Sequence, residues 1–201
     1  MRRGSRISIA AVFALSLGAP AARAQRSPLG RYTVSLLGVA GQSTLTTFET
    51  SLDKGFAEVY SPVVETTMFI SRRTELGISV NPWIGVSQPV TRDGRGLERV
   101  SAFAADILLR WYPGNLAWKV HPYLEIADGP SYALSRVPST GTQFNFLSQL
   151  GAGLLLARRG AWSIHAGYRL VHFSNAGLGR HNPSWNFNGL LLGGRWTYSG
   201  E

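Results

Sequence analysis

Eight segments of this sequence alternate, residue by residue, between apolar side chains and polar or small ones, and nearly every charge falls on one side of the alternation. Residues 74–87, TELGISVNPWIGVS, show the pattern. Thr74, Leu76, Ile78, Val80, Pro82, Ile84 and Val86 share one parity, and Glu75, Gly77, Ser79, Asn81, Trp83, Gly85 and Ser87 take the other. A period of two belongs to the β-strand, whose successive side chains leave opposite faces. The split returns in residues 101–112, where Phe103, Ala105, Ile107, Leu109 and Trp111 oppose Asp106 and Arg110. In residues 119–134, Val120, Leu124 and Ile126 oppose His121, Tyr123 and Glu125. In residues 142–157, Phe144, Phe146, Leu150, Leu154 and Leu156 oppose Asn145, Gln149, Gly151 and Gly153. In residues 161–174, Trp162, Ile164, Tyr168 and Leu170 oppose Ser163, His165, Gly167 and Arg169. Residues 30–41, 57–70 and 185–199 complete the set of eight candidate strands.

Several of these segments exceed the five or six residues of an ordinary strand and suit tilted strands that cross a bilayer with about ten residues. Glu65, Glu75, Asp106, Arg110, Glu125, Arg169 and Arg195 all fall on the polar faces. Four acids and three arginines are a nearly balanced set that can pair inside a narrow lumen. A soluble sandwich or lipocalin-like barrel, the competing reading, would hold its grease inside and its charge outside. Here the apolar faces are rich in aromatics and almost free of charge, which suits lipid. Charged residues make up only 15% of the chain, against about 25% in a typical soluble domain. A closed barrel also satisfies every backbone amide within hydrocarbon. The connections after strands two, four and six read as short, and those after one, three, five and seven as longer, the asymmetry of periplasmic turns and outer loops. An even strand number keeps both termini on the periplasmic side. The expected fold is all-β: an eight-stranded antiparallel transmembrane β-barrel of the outer-membrane type. Trp83, Trp111, Trp118, Trp162, Trp185 and Trp196 are candidates for interfacial belts, although strict alternation directs Trp83 inward.

The first residues belong to a different element. Arg2, Arg3 and Arg6 precede a short apolar run, and Ala22–Arg23–Ala24 offers a small-x-small cleavage site. The run is too short to span a bilayer. Residues 1–24 are therefore expected to be a cleaved signal peptide and residues 25–201 a single barrel domain. Removing Arg2, Arg3, Arg6 and Arg23 from a formal charge of +9 leaves +5, a mild surplus suited to an anionic lipid surface. No basic run with interleaved aromatics suggests nucleic-acid binding. The chain has no cysteine, which excludes disulfides and thiolate metal sites. No His/carboxylate cluster has metal spacing, and no cofactor is implied.

Strand seven ends as Val171-His172-Phe173-Ser174-Asn175. His172 and Ser174 continue the parity of Tyr168 and Leu170, which puts an imidazole and a hydroxyl on the lipid-facing wall, near the outer headgroup level. Polar groups there are costly unless paired or used. Strand eight returns Asn186 to the same face. The arrangement permits a nucleophile, a base and an orienting group: Ser174, His172 and Asn186. Asn175, or backbone amides around Ala176 and Gly177, can receive an oxyanion. The plainer alternative is a strand end built of turn formers with an interfacial histidine, because H-x-S alone is a weak pattern.

The stretch GYRLVHFSNAGLGRHNPSWNFNGLLLGG resembles the C-terminal hairpin of the PagL-type lipid A 3-O-deacylases and their acyloxyacyl hydrolase relatives. The H-x-S-N-A-G core and the Asn-Pro before the last strand carry the resemblance, with DGPSYAL and FNFLSQLGAGLLL upstream. It implies an outer-membrane serine esterase that removes the ester-linked 3-O-acyl chain from lipid A of lipopolysaccharide. It assigns the nucleophile to Ser174, the base to His172, and the oxyanion site to Asn175 and the Gly177 amide. The family has a glutamate where this chain has Asn186, and a neutral amide stabilises an imidazolium less well than a carboxylate does. Glu125 points inward, and Asp128 has outward parity on another strand. The resemblance therefore implies either a working deacylase or a catalytically impaired barrel that binds lipopolysaccharide or serves structurally. Arg180 and His181 lie in the adjoining loop, where an arginine suits lipid A phosphates; the plainer alternative is ordinary solvation of the loop. A homodimer is compatible with this reading.

Overall fold

A computed structural model describes residues 29–43, 57–90, 96–114, 119–180 and 182–198. The signal-peptide expectation, His181 and Trp118 lie outside them. Eight strands follow in chain order: β1 Tyr32–Ser43, β2 Glu58–Phe69, β3 Thr74–Gln88, β4 Glu98–Trp111, β5 His121–Val137, β6 Thr142–Arg159, β7 Trp162–Ser174 and β8 Ser184–Tyr198. Each pairs antiparallel with the next, and β8 pairs with β1 from Tyr32↔Tyr198 to Ser43↔Phe187, closing the barrel. Closure needs close backbone approach at Gly41, where a Cβ would come within 2.7 Å of the Asn188 carbonyl oxygen.

The apolar faces point outward. Leu36, Ile78, Ile107, Ile126, Leu150, Leu190 and Leu192 are exposed on the wall, while every one of the seven charged lumen residues is buried. Six of them form ion pairs, as their near-balance suggested. Arg110 donates to Glu65 and Glu125 at 2.7 Å and reaches Glu75 at 3.4 Å. Arg169 bridges Glu65 and Glu125, and Arg195 holds Glu75 and the Tyr112 hydroxyl. Asp106 accepts from Asn81 and Gln149. Removing one partner of such a buried network costs about 3–5 kcal/mol. Between this belt and the β7–β8 connection, the lumen is packed by an apolar cluster including Val59, Val86, Leu147, Val171, Phe173, Trp185 and Phe187.

Four expectations need correction. The register shifts between Asn81 and Ile84, a β-bulge that reverses the alternation within β3. Trp83 consequently faces outward, about half exposed, and its indole N–H donates to Ser101 Oγ at 3.1 Å, while Ile84 and Val86 turn into the lumen. Ser61 Oγ sits 3.0 Å from the Trp83 carbonyl oxygen and 3.1 Å from Asn81 Oδ1, bracing the bulge. Trp185 is not part of a belt: it is buried in the lumen, donating to Gln88 Oε1. Finally, the β5–β6 connection is short, residues 138–141, because the two strands continue pairing to Val137↔Thr142 and absorb the residues expected in a loop. The β4–β5 connection, expected short, occupies residues 112–120.

Candidate active site

The β5–β6 hairpin rises past the end of β7, whose last residue Ser174 already pairs with Phe146. The β7–β8 connection leans on that hairpin: a Cβ at Gly141 would lie 3.1 Å from Pro183 Cγ. Beneath the connection, alternation along β7 and β8 divides the labour. Phe173, Trp185 and Phe187 are buried in the lumen, each contributing about 1.5–3 kcal/mol through burial. They anchor the strands while the intervening residues His172, Ser174 and Asn186 take the outer face.

His172 stands opposite Asn186 in the β7–β8 register. Its Nδ1 lies 2.7 Å from Asn186 Oδ1. An amide oxygen accepts, so the ring donates from Nδ1–H, and Nε2 is left as the basic nitrogen. His172 is half-buried in the outer wall. Ser174 is 5% exposed, tucked between Phe146 on β6 and Ser184 on β8. The Ser184 hydroxyl opposite it is buried and unpartnered among the described residues. No hydrogen bond joins Ser174 to His172 among the described residues. Alternate residues on a strand face are about 7 Å apart at the backbone, and nucleophile–base contacts commonly tighten only when substrate arrives.

The chain then reverses sharply. Ala176 at φ +52° and Gly177 at φ +79° both take left-handed conformations, and the Leu178 amide donates to the Asn175 carbonyl at 3.0 Å. Positive φ at both central positions is a type I′ turn. The Gly177 amide donates to Asn175 Oδ1 at 3.0 Å. The two residues suggested as oxyanion donors therefore bind one another: the Gly177 amide is taken, and the Asn175 amide group is oriented by it. Asn175 is buried and Arg180 is exposed. Asp128 is exposed on the outer face, as its parity required, and Glu125 is in the lumen.

Ser148 was not singled out in the sequence. It lies on the outer face of β6 between Phe146 and Leu150, opposite His172, and its hydroxyl donates to Asp128 on β5. A polar residue on an otherwise greasy face was the available signal; its partner strand positions were not. Across β8, Tyr168 donates to Asn188 Oδ1. Beside that pair runs an open groove of about 540 Å³, floored by Ala40 and Gly41 and flanked by Tyr60 and Leu190. No cluster of three metal-ligating side chains occurs among the described residues.

The sequence matches the lipid A 3-O-deacylase (PagL) family over residues 30–195. The chain belongs to the PagL family. It is therefore a member of a lipid A deacylase family and a bacterial outer-membrane barrel, embedded in the membrane. Among solved structures it is similar to the Neisserial surface protein A, with TM-score 0.55 and 16% identity over 84% of this chain and 97% of that one. It is also similar to the outer membrane protein OprG from Pseudomonas aeruginosa, with TM-score 0.54 and 10% identity over 86% of this chain and 98% of that one. At these identities the likeness concerns the barrel alone. No curated protein matches the sequence significantly. The homodimer gains no support from the fold or from these likenesses.

Proposed function

We propose that this PagL-family barrel is a serine esterase that removes the 3-O-acyl chain from lipid A at the lipid-facing wall. The observation that carries this reading is the His172 Nδ1–Asn186 Oδ1 contact of 2.7 Å on the outward face, with Ser174 at the next outward position of the same strand. Ser174 Oγ attacks the ester carbonyl carbon as His172 Nε2 takes its proton. Asn186 accepts from Nδ1–H and holds the ring. The carbonyl oxygen becomes an oxyanion beside Asn175, whose amide is set by the Gly177 N–H. Collapse breaks the bond to the sugar oxygen, which leaves with the proton from His172. Water, deprotonated by the same imidazole, then cleaves the acyl-serine and frees the 3-hydroxy fatty acid. The exposed Arg180 supplies a cation for a lipid A phosphate, and the recess floored by Ala40 and Gly41 leaves room on the wall for part of the lipid.

A second reading has one specific support. Asn186 replaces a carboxylate, and exchanging a triad acid for its amide can reduce rates by about 10⁴. The barrel would then bind lipopolysaccharide without turning it over. The two readings separate with purified protein in detergent micelles given lipopolysaccharide. The esterase releases 3-hydroxy fatty acid, and Ser174→Ala stops the release. Lipopolysaccharide binding with no product from the folded wild-type protein would favour the second reading.

A further inference from the structure

The four strands beside the site carry a continuous polar row across the outer wall. Asp128 on β5 pairs with Ser148 on β6, Ser148 pairs with His172 on β7, and His172 pairs with Asn186 on β8. All four side chains leave the outward face. Ser148 Oγ donates to Asp128 Oδ1, and His172 donates to Asn186. Among the described residues, Asp128 is the one charged side chain on an outward strand face away from a strand end; Glu58, Arg99 and Arg136 sit within two residues of the ends of β2, β4 and β5. An ionisable group at such a position is costly and marks function.

We infer that Asp128, acting through Ser148, is the positioning carboxylate that this chain uses in place of an acid at Asn186. The inference rests on the esterase reading and extends it. His172 gains positive charge when it takes the Ser174 proton. On its β8 side it meets a neutral amide oxygen. On its β6 side it stands opposite Ser148 in the strand register, and the Ser148 hydroxyl hydrogen is committed to Asp128. The carboxylate stands two strand spacings away, roughly 10 Å, where a unit charge at the effective dielectric of a protein surface changes an equilibrium by about tenfold. The row is thus an extended substitute for the usual acid, with the charge moved to the opposite flank of the imidazole.

The test uses the full chain in detergent micelles and two readouts: the rate at which a fluorophosphonate labels Ser174, and kcat and KM for fatty-acid release from lipopolysaccharide. Asp128→Asn is expected to slow labelling by about tenfold and to lower kcat with little change in KM. Ser148→Ala is expected to give a similar loss, and the double variant no more than either alone. In the Asn186→Glu background, where a carboxylate already faces the ring, the Asp128→Asn loss is expected to shrink to about twofold. Heat-modifiable gel migration identifies any variant that fails to fold, and Asp128→Glu, expected to recover most of the rate, replaces it. Wild-type labelling with no Asp128→Asn effect overturns the inference and leaves the esterase reading standing. So does an equal loss in both backgrounds, which marks a structural role. A folded wild-type protein whose Ser174 is never labelled overturns both.

Discussion

Inside the barrel, the Arg110 guanidinium meets Glu65, Glu75 and Glu125; on the outside of the same wall, the His172 imidazole bonds one neutral amide, that of Asn186. In the inner constellation Glu65, Glu75 and Glu125 each hold an arginine. Each arginine in it has a carboxylate, and their mutual satisfaction is what lets charge sit buried in a lumen. The outer constellation is left with capacity: a basic nitrogen, a hydroxyl with no bond to it, and a turn that holds an amide in place. Paired polar groups stabilise a fold, whereas polar groups with spare capacity on a costly surface are what the proposed function calls on. The outer set rides on Phe173, Trp185 and Phe187, which brace it from behind.

Substitutions can break this contrast. The largest effect is expected at the outer set: His172→Ala should lower esterase turnover by at least about 10³-fold while the barrel keeps its heat-modifiable gel migration. Loss of the folded form would assign the imidazole to the inner, structural class. Next comes Arg110→Met, which takes one of two arginine partners from each of Glu65, Glu75 and Glu125 and should destabilise the barrel by about 3–5 kcal/mol, read as a lower unfolding midpoint in urea. An unchanged midpoint would show that the lumen network is not what holds the strands together. Asn186→Glu should raise turnover by about tenfold, since a carboxylate stabilises the imidazolium better than an amide; a fall would make asparagine the proper partner. The smallest change is Ala176→Gly. It relieves a left-handed φ of +52° and should stabilise the protein by about 1 kcal/mol, visible as a small rise in the thermal midpoint with turnover unchanged within twofold.

The strands were legible because each must satisfy two solvents, lipid and a polar lumen, and period-two alternation records that directly. The charge balance of the lumen was legible for the same reason. What stayed hidden depends on pairing between strands. Trp83 was placed inward because one inserted residue at the β3 bulge inverts parity, and Pro82-Trp83 in isolation carries no mark of it. Trp185 was grouped with the belts by residue type, although the parity of Asn186 already turned it inward. The β5–β6 connection was read as the gap between the alternating segments 119–134 and 142–157, whereas the strands go on pairing to Val137↔Thr142, beyond their neighbour β7. His172, Ser174 and Asn186 could be found because they are neighbours in sequence or share a face across one hairpin. Ser148 could not, because its opposition to His172 follows from the β6–β7 register, and its bond to Asp128 from the β5–β6 register.

The central claim, that the polar row on the outer wall acts on a bilayer-resident ester, is tested most directly by mass spectrometry of lipid A from cells carrying the wild-type protein or Ser174→Ala. The account predicts lipid A lighter by one 3-hydroxyacyl chain with the wild type and full-length lipid A with the variant, at equal levels of folded barrel. Unaltered lipid A beside abundant folded wild-type protein, or the same lighter species with Ser174→Ala, would contradict it.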